Sequence, residues 1–128
     1  MVAGNNFYIP LRHKKYNLGT YSYVAVSKNF KQTRTSFTFG SYLYSKNVVS
    51  SNATRAGGQF GIEQSINKKI KLAAEYITGK HSNGYFLPGV KVKLNKRMST
   101  KFGYIIHNNK TSAGNHYFYI STNITLKY

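Results

Sequence analysis

The fold is decided by residues 55–78, which read RAGGQFGIEQSINKKIKLAAEYIT. On each side of Asn67-Lys68-Lys69, apolar residues alternate with polar or small ones. Alternate side chains of a β-strand point to opposite faces, so this period-two pattern predicts strands with one apolar face. The interrupting Asn-Lys-Lys sequence is typical of a tight turn. The stretch therefore predicts a β-hairpin in which Ile62 lies on one face and Glu63 on the other.

A helix over residues 62–77 is the competing interpretation, because five apolar residues there have helical spacing and the Glu, Gln, Lys and Ala content favours helix. The five are Ile62, Ile66, Ile70, Ala73 and Ile77. Against the helix, the turn at Asn67-Lys68-Lys69 divides two cleanly alternating runs. Asn95-Lys96-Arg97 repeats this turn chemistry between two further alternating runs. We therefore favour strands.

The alternation continues in both directions along the chain and predicts eight strands, separated by clusters of Asn, Lys, Gly and Ser. The predicted strands are residues 7–14, 19–27, 34–45, 55–66, 69–78, 84–94, 98–108 and 116–128. No linker or low-complexity segment divides the 128 residues, and this length suits one domain. The chain is therefore predicted to be a single domain, residues 1–128.

Alternation alone does not say which face is wet, but three features favour a membrane barrel over a soluble barrel or sandwich. Most predicted strands are close to the 9–11 residues or so of a tilted membrane strand, and longer than the usual ~5–6. The polar faces combine charge with glycine, as the crowded interior of a small barrel requires, at Gly57, Gly61, Gly89 and Gly103. The predicted connections are short at one end of the strands and longer at the other.

If the chain zigzags, the short connections are residues 28–33, 67–68 and 95–97, and the longer ones are residues 46–54, 79–83 and 109–115. The first connection, near residues 15–18, is short where the pattern expects a long one. The predicted fold class is therefore all-β, an antiparallel up-and-down β-barrel of about eight strands, of the outer-membrane type.

The composition excludes several kinds of site. The chain has no cysteine, which excludes a disulfide framework, a thiolate zinc site and a cysteine nucleophile. His13, His107 and His116 are scattered without metal-ligand spacing, and no Gly-rich phosphate loop is present, so we expect neither a metal nor a cofactor. No apolar run approaches the 20 or so residues of a membrane-spanning helix. The first residues form no leader, which predicts a signal peptide that is absent or already removed.

The charge is strongly positive, with 19 Lys and Arg against 2 acidic residues and a formal net charge of +17. Such an excess first suggests nucleic acid as a partner. The lysines, however, are spread along the chain rather than collected in a tail or one patch. We therefore place nucleic acid below outer-membrane lipid, whose anionic headgroups attract Lys and Arg by about 1 kcal/mol each.

The two acidic residues fall on the predicted polar faces of adjacent strands, together with several lysines. The predicted luminal charge network contains Glu63, Glu75, Lys71, Lys91, Lys93 and Lys101. An unpaired charge in a narrow lumen is costly, so this pattern predicts ion pairing rather than catalysis. What the network binds, if it binds a ligand, stays open at this point. Two acids also cannot neutralise all of these lysines.

Tyrosine is abundant, with 12 residues in the chain. The amphipathic ring of tyrosine suits the interface between lipid and water, and barrels carry girdles of aromatic residues at both rims. Tyr42, Tyr44, Tyr76, Tyr104 and Tyr128 are predicted candidates for such girdles. The alternative is that aromatic residues simply favour strands.

The C-terminus resembles the assembly signal of bacterial outer-membrane β-barrel proteins, in which a polar residue is followed by Gly and then by hydrophobic residues ending in an aromatic. Ser121, Leu126 and Tyr128 fit this pattern, and Asn123 stands where Gly is usual. Gly84-Tyr85, Pro88-Gly89 and Gly103-Tyr104 are also similar to uncharacterised proteins of this family. The resemblance implies insertion by the outer-membrane assembly machinery, with Leu126 and Tyr128 as the assembly signal, and names no activity.

A weak catalytic candidate lies at His81-Ser82-Asn83, which resembles the His-x-Ser-Asn motif of outer-membrane lipid A deacylases without its intervening residue. On a strand, His81 and Ser82 would point to opposite faces, so activation of the serine by the histidine is not supported unless the loop bends. Glu75 is the carboxylate that could orient the histidine. Turn chemistry is the favoured interpretation of this loop.

The function expected from the sequence is that of a small outer-membrane β-barrel with a structural, anchoring or assembly-subunit role. Its lumen is expected to be filled rather than an open pore, its location the bacterial outer membrane, and its partners lipid and possible proteins of an outer-membrane complex. Three alternatives stay open. They are a soluble basic β-barrel or sandwich that binds nucleic acid or another polyanion, a β-rich subunit of a filament or virion, and a lipid A deacylase-like hydrolase.

Overall fold

The structure is a computed structural model that describes residues 1–8, 19–49, 52–81, 83–109 and 116–125. These residues contain eight β-strands and no helix. The strands are β1 (Val2–Tyr8), β2 (Gly19–Phe30), β3 (Thr35–Tyr44), β4 (Ala56–Ser65), β5 (Ile70–Ile77), β6 (Tyr85–Lys93), β7 (Met98–His107) and β8 (His116–Ile124). The all-β prediction is confirmed, and the helix considered for residues 62–77 is wrong.

Each strand pairs antiparallel with the next one along the chain, in the order β1 to β8. This up-and-down arrangement is the predicted topology. The sheet is curled into a half-barrel rather than a closed cylinder. In the described part of the chain, β1 and β8 are therefore the two edges of the sheet.

The first strand differs from its predicted position at residues 7–14. The paired segment is Val2–Tyr8, whose residues face Gly19 to Ala25 of β2, and residues 9–14 lie outside the described residues. Gly4, Asn5 and Asn6 break the apolar alternation of this segment, and Gly and Asn are depleted in strands. Gly4 allows the ring of Tyr23 to lie against β1, because an added Cβ would lie 2.5 Å from the hydroxyl oxygen of that ring.

The predicted Asn turns are confirmed. Asn67 Oδ1 accepts hydrogen bonds from the backbone N–H groups of Lys69 and Ile70, each at 2.8 Å. Asn95 Oδ1 accepts one from Arg97 at 2.8 Å. An Asn side chain that bonds the backbone two residues on fixes a tight turn. The side chain of Asn thus explains why β4–β5 and β6–β7 reverse so sharply.

The connections differ in length at the two ends of the sheet, as predicted. At one end, which we call the short-turn end, the strand bounds leave residues 31–34, 66–69 and 94–97 between strands. At the other, the long-loop end, they leave residues 45–55, 78–84 and 108–115. The predicted turn near residues 15–18 lies outside the described residues.

The sheet has two contrasting faces. The concave face carries the buried apolar side chains, which are Tyr42, Tyr44, Ala73, Leu87 and Ile105. The convex face carries large apolar side chains that are between 38% and 85% exposed. They include Val24, Val26, Phe39, Leu43, Phe60, Ile62, Leu72, Tyr76, Phe86, Phe102, Tyr104, Phe118, Ile120 and Ile124. The small core therefore lies inside the curl, whereas most large apolar residues point outward.

Candidate functional site

The concave face contains a row of three lysines on neighbouring strands. Lys71 of β5 lies directly opposite Lys91 of β6, and Lys91 lies opposite Lys101 of β7. Like charges directly opposite each other on a sheet repel and destabilise the pairing. This row therefore needs negative charge nearby, and the only two side-chain carboxylates of the chain face the same side.

The two glutamates form ion pairs with this row. Glu63 contacts Lys71 at 3.1 Å and Lys91 at 3.8 Å, and its side chain is 37% exposed. Glu75 forms a hydrogen-bonded ion pair with Lys101. The side chain of Lys101 is 13% exposed, whereas those of Lys71 and Lys91 are 44% and 35% exposed. Three lysines thus share two carboxylates, and the row keeps a net positive charge.

Lys93, the remaining member of the predicted network, is exposed and forms no ion pair with either glutamate. It lines a pocket of about 270 Å³ at the short-turn end of the concave face. Seven cationic residues line this pocket, and we call them the basic rim: Lys68, Lys69, Lys71, Lys91, Lys93, Lys96 and Arg97. Asn95, Ser99 and Thr125 contribute neutral polar groups to the same lining.

Backbone hydrogen bonds hold the two turns of the basic rim side by side. The N–H of Lys93 donates to the carbonyl of Lys69 at 2.7 Å, which ties the end of β6 to the β4–β5 turn. The N–H of Thr125 donates to the carbonyl of Arg97 at 2.8 Å, which ties the β6–β7 turn to the end of β8. The cationic residues are therefore concentrated by the backbone and not only by flexible side chains.

The long-loop end of the concave face has a different character. Tyr21, Tyr42, Tyr44 and His81 pack their rings together there, and we call them the tyrosine cluster. The ring centroids of Tyr21 and Tyr44 are 4.6 Å apart, and the His81 ring lies 5.4 Å from Tyr42 and 5.1 Å from Tyr44. Tyr42, Tyr44 and His81 are each 3% exposed. Aromatic rings therefore fill the interior at this end.

The hydrogen bonds of the tyrosine cluster fix the form of His81. Its Nδ1 accepts from the backbone N–H of Asn83 at 3.2 Å, so the neutral ring carries its proton on Nε2. That Nε2 lies 2.8 Å from the Tyr42 hydroxyl, to which it donates, and the hydroxyl donates in turn to the carbonyl of Thr78 at 2.5 Å. Burial lowers the pKa of His81, which agrees with a neutral ring.

A glycine allows this packing at the start of the loop. Gly79 has a φ of 97°, a conformation that L side chains rarely adopt. An added Cβ would also lie 2.6 Å from the Tyr42 hydroxyl oxygen and 2.7 Å from His81 Nε2. The sequence Thr78-Gly79-Lys80-His81 therefore folds the histidine back over the tyrosines.

The predicted catalytic candidates are not assembled into a site in the described residues. Both ring nitrogens of His81 are occupied by structural hydrogen bonds, and Glu75 is paired with Lys101. Ser82 lies outside the described residues. The geometry therefore provides His81 with a packing role and no free nitrogen to act as a base.

The predicted tyrosine girdle is wrong for two of its members. Tyr42 and Tyr44 are buried inside the curl, because they lie on the strand positions that face the concave side. Tyr76 and Tyr104 do lie on the convex face, at 40% and 38% exposed. Tyr128 lies outside the described residues, as does Leu126 of the predicted assembly signal.

Polar side chains on the convex face bond to each other near the short-turn end. Thr35 donates to Gln64 Oε1, and Gln64 Nε2 donates to the carbonyl of Thr33 at 2.7 Å. Thr100 and Thr122 share a hydrogen bond of 3.1 Å between their hydroxyl oxygens. These side-chain hydrogen bonds therefore link β3 to β4 and β7 to β8 on this face.

Three further findings complete the description of the site. Within the described residues, no three His, Asp or Glu side chains come together in a way that could hold a metal ion. Over the same part of the chain, no helix is long and apolar enough to cross a membrane. No protein-family model, curated protein or solved structure matches the chain.

Proposed function

We propose that this chain is a small β-barrel protein of a bacterial outer membrane, with a structural, anchoring or assembly-subunit role. The observation that carries the proposal is the inside-out distribution of polarity. Large apolar side chains cover the exposed convex face, while the charged side chains of β4 to β7 face the inside of the curl. Lipid on the outside and a polar interior are what a membrane barrel requires.

The apolar surface is continuous across the sheet. Exposed large apolar residues occur on the convex side of every strand from β2 to β8. Soluble monomers rarely expose contiguous apolar patches larger than a few hundred Å². A face of this kind is therefore expected to contact lipid or a protein, and its spread over seven adjacent strands favours lipid.

The dimensions and connections support the same proposal. Strands of 8 to 12 residues make up β2 to β8, near the 9–11 residues or so that cross a bilayer when tilted. The contrast between short turns at one end and longer loops at the other is typical of outer-membrane barrels. The tyrosine cluster occupies the interior at one end, which favours a structural role over a pore.

The two edges of the sheet favour the assembly-subunit form of this role. An open edge does not occur within the hydrocarbon of a bilayer, because its backbone N–H and C=O groups would lack partners. β1 and β8 must therefore pair, and the half-barrel shape favours pairing with another chain over pairing with each other. A second copy of the chain offers the matching edges, because β8 of each copy can pair with β1 of the other.

The chain has no cysteine, so engineered disulfides can report how the edges pair. Cysteines placed at successive positions of β1 and β8 would link two chains if the edges pair between copies. Links only within one chain, in a preparation that otherwise behaves as a membrane barrel, would contradict the assembly role and leave the anchoring role.

The membrane proposal is tested by placing a charge on each face at adjacent positions. Phe60 lies on the convex face in the middle of β4, beside Phe39 and Tyr76. Gln59 faces the concave side, because in the alternation along β4 it shares a face with Glu63. In lipid, Phe60→Lys should lower the free energy of unfolding by about 2–4 kcal/mol. In water, the position is 45% exposed and the charge should cost little. The free energy of unfolding of Phe60→Lys should then lie within about 0.5 kcal/mol of that of Phe60→Leu, which lacks only the ring.

The controls are Gln59→Lys, which adds the same charge to the polar face, and Phe60→Leu, which removes the ring without adding charge. Unfolding is measured in lipid vesicles, together with gel migration before and after heating in SDS. Equal stability of Phe60→Lys and Phe60→Leu, or a monodisperse wild-type monomer without detergent, would overturn the proposal. In that case a soluble basic protein that binds a polyanion becomes the better candidate, and a salt-dependent gel shift tests it.

A further inference from the structure

The basic rim concentrates more positive charge than the chain can balance. Seven cationic residues line one pocket of about 270 Å³. Glu63 is the one side-chain carboxylate paired with them, and it contacts only Lys71 and Lys91. Glu75 is paired with Lys101, outside the rim. Lys68, Lys69, Lys93, Lys96 and Arg97 therefore line the pocket without a glutamate side chain paired with them in the described part of the chain.

We propose that the basic rim is a binding site for phosphate groups, carried by a ligand with more than one phosphate. A phosphate presents several strong acceptor oxygens and carries up to two negative charges. Two or three phosphate groups are therefore enough to balance many cations in a small volume. Lysine binds phosphate as a point charge, and the guanidinium of Arg97 can bind two oxygens at once. A single carboxylate would leave most of the rim's charge uncompensated.

The backbone makes the site available before a ligand arrives. The bonds from Lys93 to Lys69 and from Thr125 to Arg97 hold the two turns and the end of β8 together. Asn67 fixes the first turn and Asn95 the second through their side-chain oxygens. The repulsion between like charges is thus already present in the fold, and a bound anion relieves it. Asn95, Ser99 and Thr125 add neutral polar groups at the pocket wall.

The position of the pocket is independent of what covers the convex face. The rim opens on the concave side and at the short-turn end, so its charge would attract phosphate whether lipid or another surface lies outside the sheet. Two sources share this chemistry. One is the headgroup of an anionic lipid in the leaflet nearest the short turns, and the other is a soluble molecule with several phosphates.

The test uses the full chain, folded in a detergent with an uncharged headgroup, and titrates it with inorganic pyrophosphate in a calorimeter. The rim variant is Lys93→Gln with Arg97→Gln, which removes two cations that pair with neither glutamate. The control variant is Lys31→Gln with Lys80→Gln, which removes two exposed cations outside the pocket. The rim variant should bind about tenfold or more weakly, because it lacks two of the seven cations that attract the phosphates, and the control should bind like the wild type.

A second arm repeats the pyrophosphate titration after reconstitution into phosphatidylcholine vesicles with and without cardiolipin, a lipid whose headgroup carries two phosphates. Weaker pyrophosphate binding by the wild type when cardiolipin is present supports a lipid headgroup in the rim, and unchanged binding supports a soluble ligand. Equal weakening of pyrophosphate binding in the rim and control variants would overturn the site and indicate diffuse charge attraction. Tighter binding to duplex DNA than to pyrophosphate, weakened equally in both variants, would do the same. The SDS gel migration of the same samples, which reports the membrane barrel, separates failure of this proposal from failure of the proposed function.

Discussion

The tyrosine cluster and the basic rim lie at opposite ends of the same concave face, and they differ in how their polar groups are compensated. In the tyrosine cluster, neutral groups satisfy each other, as the bonds among His81, Tyr42 and Thr78 show. Tyr42, Tyr44 and His81 are almost completely buried. In the basic rim, like charges remain near one another and partly exposed. The first arrangement contributes stability, whereas the second leaves positive charge that we propose a phosphate ligand balances.

The largest expected effect comes from emptying the tyrosine cluster. Tyr42→Ala removes a ring that is 3% exposed and contacts Tyr21, Tyr44 and His81, so the free energy of unfolding should fall by about 3–5 kcal/mol. Chemical unfolding in vesicles measures it. Tyr42→Phe keeps the ring but leaves His81 and the Thr78 carbonyl without their partner, at a cost of about 1–3 kcal/mol.

The contrast between the two ends would be broken if Tyr42→Ala cost no more than a substitution in the rim. Lys93→Gln serves for that comparison, because Lys93 is exposed and its removal lowers repulsion. We expect Lys93→Gln to leave the free energy of unfolding unchanged or slightly raised. A stability loss in Lys93→Gln comparable to that of Tyr42→Ala would mean that the rim is itself a structural core.

An intermediate effect is expected at the two glutamates, which stand between these regions. Glu75→Gln leaves Lys101, whose side chain is 13% exposed, without its carboxylate, and should cost about 1–3 kcal/mol. Glu63→Gln disrupts pairs whose members are all at least 35% exposed, and should cost less than about 1 kcal/mol. Unfolding of the two variants under identical conditions makes this comparison.

Glu63→Gln should also strengthen binding of pyrophosphate to the basic rim, because it removes the glutamate side chain that pairs with Lys71 and Lys91. Glu75→Gln should leave that binding closer to the wild type. A larger stability loss in Glu63→Gln than in Glu75→Gln would contradict the structural role of the Glu75–Lys101 ion pair. Weaker anion binding in Glu63→Gln would contradict the proposal that the positive charge of the basic rim binds an anion.

Much of the fold could be predicted because period-two alternation acts locally. It located seven of the eight strands and the Asn67 turn, and it placed Glu63, Lys71 and the other network members on one face. The choice of ion-pair partners was not predictable. Glu75 reaches Lys101 two strands away, and that depends on the register of three strands together.

The packing of the tyrosine cluster could not be predicted from the sequence for a related reason. Tyrosine suits both a lipid interface and a packed interior, so residue type alone did not decide between them. The spacing of Tyr21 with Tyr23 and of Tyr42 with Tyr44 would have shown that each pair shares a face. Only the β2–β3 register, in which Tyr21 faces Tyr44, and the bend at Gly79 bring these rings to His81. The half-barrel shape also depends on how all eight strands curl together.

The smallest expected effect is a pH dependence that belongs to one proton in the tyrosine cluster. Burial lowers the pKa of His81, whereas the unfolded chain keeps a histidine pKa of about 6.5. The unfolded state therefore takes up a proton more readily, and stability is retained above about pH 6.5 and lost as the pH falls from there toward the folded pKa. NMR titration of the His81 ring should give a pKa below that of an ordinary histidine.

Tyr42→Phe removes the acceptor of the Nε2 proton, so it should move this titration, whereas Lys93→Gln in the basic rim should leave it in place. An ordinary pKa for His81, or equal shifts in the two variants, would mean that the ring is not held neutral inside the cluster and that the two ends differ less than their packing indicates.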